Sequence, residues 1–191
     1  RRGVLDLHPI PAAFNHVLVQ ARLAGRDYWS DPTRSLQKGD LAHLYQPDYG
    51  YALVIDAKTG VLSSMTGSSA VVSRTIHATF DVRAGMDEPV LYTVTSVLDG
   101  ASADAARNSL ASVNREELQK QYLNFYAKYF PGITVRTPFT VAEEENANRL
   151  TLTEQYAIPE FWKRNETKKR REARIYAPDV EDYLRQPSQP V

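Results

Sequence analysis

Apolar and polar residues alternate most plainly between Val72 and Val82. Val72, Ile76, Ala78, Phe80 and Val82 share one parity, and Ser73, Thr75, His77 and Thr79 share the other. A period of two predicts a half-buried strand. Val90 to Leu98, directly after Pro89, predicts a second strand. Ile133, Val135, Phe139 and Val141 fall on one face of a third, and Leu150, Leu152, Tyr156 and Ile158 mark a fourth. Between the second and third the period changes. Leu118, Tyr122, Phe125, Tyr126 and Tyr129 form one stripe of a helix over Asn114 to Phe130. Asn114 followed by Glu117 resembles a capping pair, and Pro131-Gly132 ends the helix. Ser102 to Ser112 adds a helical turn or two before it. Strand, strand, helix, strand, strand predicts an α+β layer with one helix on one sheet face.

Upstream, Phe14 to Leu23 is rich in β-formers, and Asp27 to Asp31 follows after Ala24-Gly25-Arg26. This pattern predicts a hairpin stopped by Pro32. A loop rich in Gly, Asp, Pro and Tyr runs from Ser35 to Tyr49, and Tyr51 to Ile55 predicts a short buried strand. Thr66 to Ser69 (TGSS) is the linker candidate. Downstream of Trp162, seven Lys and Arg residues between Lys163 and Arg174 face only Glu166 and Glu172. That run predicts a solvated, mobile tail, with a short helix over Asp179 to Leu184 broken by Pro187 and Pro190. The expected division is 1–67, 68–162 and a charged tail over 163–191.

Composition narrows the chemistry. The 191 residues include 23 Lys and Arg against 23 Asp and Glu, so the net charge is zero and exerts no global pull on nucleic acid. The basic run lacks a stacking platform or binding module, so no nucleic-acid partner is expected. No apolar run is long enough to span a membrane. There is no Cys, which excludes disulfides, thiolate metal sites and a Cys nucleophile within the chain. His8, His16, His43 and His77 lack metal-ligand spacing, and no phosphate loop or nucleophile elbow occurs, so neither metal nor organic cofactor is expected. The opening Arg1-Arg2-Gly3 reads as part of a longer protein.

The informative pair is His16 and Asp31. A two-residue turn at Ala24-Gly25 sets His16 opposite Thr33 and makes Asp31 its diagonal neighbour, with Cβ atoms roughly 7–8 Å apart. A carboxylate there can hold one imidazole nitrogen, fix the tautomer and stabilise the imidazolium, leaving the other nitrogen for a nucleophile. A polar pair on a sheet face is the plainer alternative. Trp29 beside Asp31 reads as a shield over a substrate cleft or as a core aromatic. Tyr49, with Tyr45 and Tyr51, reads as a cleft rim or as loop packing.

The run Pro11 to Arg34 resembles the second half of a transglutaminase-like domain, in the superfamily of papain-like cysteine transamidases and peptidases. Phe14-Asn15-His16-Val17 matches the family's His strand, and Tyr28-Trp29-Ser30-Asp31-Pro32-Thr33 matches its Asp strand. QPDYGYALVI continues in the manner of large bacterial envelope proteins. The resemblance implies the β-strand half of a papain-like domain over 1–67, followed by an appended layer domain of unknown function. It implies acyl transfer from an amide to water or an amine, with His16 as base then acid and Asp31 orienting it. The nucleophilic Cys would come from a missing N-terminal segment of the same protein, so the chain alone would be inactive. The implied partners are a protein or peptide substrate, that missing segment, and a second copy in a homo-oligomer. The implied location is the bacterial periplasm or envelope. The alternative is a non-catalytic module binding protein or glycan in the envelope.

Overall fold

The computed structural model describes residues 2–8, 10–57, 59–65 and 71–185. The linker candidate Thr66 to Ser69 and the helix-breaking Pro187 and Pro190 lie outside them. After two 3-10 turns, Arg2–Asp6 and Pro11–Ala13, β1 (Val19–Leu23) and β2 (Arg26–Ser30) form an antiparallel pair. Their turn is Ala24-Gly25, both at positive φ (50° and 77°), the conformation that matches the twist of a two-residue hairpin. The pairing runs from Val19 with Ser30 to Leu23 with Arg26. Beyond this ladder, residues 14–18 have no strand partner. Pro32 has no amide hydrogen, and Asp31 is engaged with Thr33. A second small antiparallel sheet joins β3 (Gly50–Ala52) to β4 (Ser63–Met65).

The longer strands are β5 (Ser73–Asp81), β6 (Val90–Asp99), β7 (Thr134–Glu144) and β8 (Arg149–Ile158). They form one antiparallel sheet in the order β5-β6-β8-β7. The central strands β6 and β8 alternate buried with half-buried residues along their length. On the edge strand β7 only Phe139 is fully buried. Between β6 and β7 lie α1 (Ala101–Ser112) and α2 (Arg115–Ala127). Asn114 caps α2, its side-chain oxygen accepting from the Glu116 amide at 2.7 Å. The described residues end with the hairpin β9 (Lys163–Asn165) and β10 (Arg170–Glu172), then α3 (Pro178–Arg185).

The α+β expectation is corrected. Strands account for 36% of the structure and helices for 21%, in three short helices with antiparallel sheets. Among the described residues of 1–67 no β-strand half of a papain-like domain forms. The described part of that region carries two separate two-stranded sheets, because its strands are three to five residues long and Pro32 and the irregular loop over 33–49 interrupt them. The layer expected as β-β-α-β-β is β-β-α-α-β-β, since 101–112 is a full helix. Its buried residues are Ala103, Asp104 and Arg107, so no apolar stripe announces it.

The chain divides into two compact units, each drawing on separated segments: 1–75 with 97–109 and 142–151, and 76–96 with 110–141 and 152–191. In the second unit, Val90, Tyr92, Val94, Tyr126, Phe130, Ile133, Tyr156, Ile158 and Phe161 form one buried cluster. Tyr92 and Tyr126 meet edge to face at 5.4 Å, and burial pushes the Tyr92 and Tyr156 phenols up. The segment expected to be a mobile tail joins this core. Ala173 and Tyr176 pack against it, and several of its cations find carboxylates: Arg170 and Lys168 on Glu172, Arg164 on Glu166, Arg171 on Asp87. Among the described residues no helix is long and apolar enough to cross a membrane.

Burial separates two isoleucines that sequence pattern treats alike. Ile158 is 2% exposed, whereas Ile55, expected in a buried strand, is 93% exposed. Ile158→Ala should cost about 2–5 kcal/mol, and Ile55→Ala should stay within about 0.5 kcal/mol. Urea unfolding of the two variants checks this; a large loss at Ile55 would contradict its exposure.

Candidate functional site

His16 lies in the irregular segment just before β1, and Asp31 directly follows β2. Both lie just outside the β1–β2 ladder, at its open end. His16 Nε2 and Asp31 Oδ2 are 2.8 Å apart. Asp31 is 5% exposed, while the His16 side chain keeps 39% of its surface open. The sequence-predicted pair is thus a buried carboxylate holding a solvent-accessible imidazole.

A buried carboxylate needs compensation. Asp31 Oδ1 accepts from the Thr33 amide at 3.0 Å and from the Thr33 hydroxyl at 2.6 Å. Pro32 between them presets the turn that brings Thr33 back. Burial alone would raise the Asp31 pKa. The Thr33 hydroxyl, His16 and the Thr33 amide outweigh it, and the net direction is downward. Asp31 is therefore ionised at neutral pH and can only accept hydrogen bonds. Nε2 of His16 must then carry the proton, so neutral His16 exposes Nδ1 as its free acceptor.

Tyr49 is brought to this pair and Trp29 is not. The Tyr49 ring centroid lies 6.0 Å from that of His16, the planes tilted by 42°. Asp48 holds the backbone after it, its Oδ1 accepting from the Gly50 amide at 2.8 Å. Trp29 is half-buried on β2 opposite Gln20 and makes no ring contact with His16. Of the other histidines, His43 bonds Asp40 at 2.7 Å on the surface, and His8 and His77 are exposed. Among the described residues no three His, Asp or Glu side chains converge to hold a metal ion.

Two features escape sequence reasoning. Thr33 is one: the Asp-Pro-Thr triplet signals an Asx turn, but not that its hydroxyl reaches the same carboxylate. The other is a buried polar network in the same unit. Arg107, 5% exposed, donates to Asp104 at 3.0 Å, Asn148 at 2.7 Å and Glu143 at 3.1 Å. Gln37 reaches Asp104 at 3.3 Å and the Tyr45 carbonyl at 2.5 Å, joining the loop before Tyr49 to that network. The Asp40 amide bonds the Asn146 carbonyl at 3.0 Å, and Lys38 bonds Glu145 at 2.8 Å. Gly39 is needed there: its φ is 118°, and a Cβ would come within 2.8 Å of the His43 backbone.

Comparison of the chain with protein-family models, with curated proteins and with solved structures gave no match.

The lowered pKa sets a pH dependence. The folded value of Asp31 lies below its unfolded value of about 3.9, so the unfolded chain binds more protons in that window. The stabilisation is complete above about pH 4–5 and is lost as pH falls through the folded value. Thr33→Val should cost about 1.5 kcal/mol at pH 7, the low end for a bond to a charged group because Thr33 is exposed. It should also flatten the acid limb, as should Asp31→Asn. Urea unfolding between pH 2 and 7 reads both effects; an unchanged acid limb in Thr33→Val would remove Thr33 from the site.

Proposed function

We propose that this chain contributes the base half of a thiol-dependent amide-processing centre of the transglutaminase-like kind. The supporting observation is the 2.8 Å contact between His16 Nε2 and the buried, Thr33-clamped Asp31. The resemblance of Phe14-Asn15-His16-Val17 and Tyr28-Trp29-Ser30-Asp31-Pro32-Thr33 to the family's His and Asp strands supports the same assignment. The reading rests on this dyad and these motifs, not on a papain-like half-domain.

In the proposed reaction, Nδ1 of His16 takes the proton from a thiol supplied from outside the 191 residues, which contain no Cys. The thiolate attacks the amide carbonyl, and the imidazolium returns the proton to the leaving amine. Water or a second amine then releases the acyl group, with His16 as base again. Asp31 keeps Nε2 protonated and stabilises the imidazolium throughout. Tyr49 stands beside the imidazole, where it can border the substrate.

The absence of Cys makes the test clean. The unmodified chain should hydrolyse no amide by a thiol mechanism. Tyr49→Cys places a single thiol near the imidazole. Iodoacetamide should label it rapidly well below pH 8, and His16→Ala should restore an ordinary thiol profile near pH 8.5. Circular dichroism of each variant confirms that it is folded. An ordinary profile in folded Tyr49→Cys would overturn the proposal.

A further inference from the structure

The second unit holds a cavity of about 410 Å³, distant in sequence from the His16 dyad and independent of any role for it. The volume suits a small organic molecule. Its walls are aromatic: Tyr129 and Phe130 after α2, Phe161 after β8, and Tyr176 from the extended stretch between β10 and α3. Tyr176 meets Tyr129 at 5.6 Å and 56°, and Phe130 at 5.7 Å and 76°. These tilted planes present both faces and edges, the two surfaces on which another flat ring packs well.

Charges at the lining decide the rest of the ligand. Glu160 and Lys163 neutralise each other at 2.6 Å. Glu172 is matched by Arg170 at 2.7 Å and Lys168 at 3.6 Å. Arg174 differs. Among the described residues its guanidinium meets only the Tyr176 hydroxyl, at 3.4 Å, and no carboxylate. The lining therefore carries one uncompensated planar donor fork next to aromatic walls. Such a fork fits one carboxylate in a bidentate manner.

We infer that this cavity binds a small aromatic carboxylate, its ring against Phe130, Phe161 and Tyr176 and its carboxylate on Arg174. Three probes separate the two halves of the claim. 2-Naphthoate carries ring and charge, 2-naphthamide the ring alone, and cyclohexanecarboxylate the charge on a saturated ring. Titrations of the full chain followed by amide chemical shifts should show saturable binding of 2-naphthoate, mapped to 129–131 and 158–176. Each control should bind at least tenfold more weakly. Arg174→Gln should weaken 2-naphthoate about tenfold and leave 2-naphthamide unchanged. Should that variant melt early, Arg174→Lys serves instead: it keeps the charge, loses the fork and should give intermediate affinity. The proposal is overturned by any one of four results: no saturable naphthoate binding, equal affinity for the amide, no effect of either Arg174 variant, or shifts mapped elsewhere.

Discussion

A guanidinium out of water needs acceptors, and in the unit that carries His16 and Asp31 the Nε and Nη1 of Arg107 find three, while its Nη2 has no partner among the described residues. Arg107 gathers a carboxylate from its own helix, a second from β7, and the Asn148 amide from the turn before β8. Removing one partner would leave charge buried without compensation, which is far more costly than never burying it. The network also receives Gln37. A loop of almost twenty residues with no regular structure has little else to fix it, so polar ties to Asp104, Glu145 and Asn146 stand in for a ladder. The loop's far end places Tyr49 against His16.

The dyad follows the same logic on a smaller scale. Asp31 gives up water and receives three donors, two of them from a residue two positions along the chain. Local compensation by Thr33 and His16 keeps the carboxylate charged. The imidazole is then oriented by an acceptor that does not depend on loop closure, while its other edge remains open. Such an arrangement is rigid on the inside and available on the outside.

Much of this was legible in the sequence, for identifiable reasons. The Ala24-Gly25 turn declares itself, but the His16–Asp31 contact forms beyond the ladder, which starts at Val19 and ends at Ser30, so strand parity alone does not account for it. The four long strands and α2 also announce themselves in their apolar spacing, which burial follows closely on β6 and β8 and only in part on β5 and β7. Helix α1 was underestimated because Asp104 and Arg107 occupy its buried face, a pattern that periodicity reads as surface. The short strand at Gly50–Ala52 was drawn too long because Leu53, Val54 and Ile55 are apolar, although Ile55 points to solvent. The basic segment after Trp162 looked unable to pack. Arg170 is met by Glu172 nearby and Arg171 by Asp87 far away in sequence, and a linear reading counts only the near carboxylate. The α+β expectation, drawn from the order of elements, fails because antiparallel strands at 36% outweigh three short helices at 21%.

The turn at Ala24-Gly25 also limits how the chain can diverge. Surface loops ordinarily absorb insertions and deletions with little effect. Here one added residue without a compensating bulge would exchange the two faces of β2 and carry Asp31 away from His16. Both tip residues also stand at positive φ, so a surface position that looks permissive is restricted in residue type as well as in length.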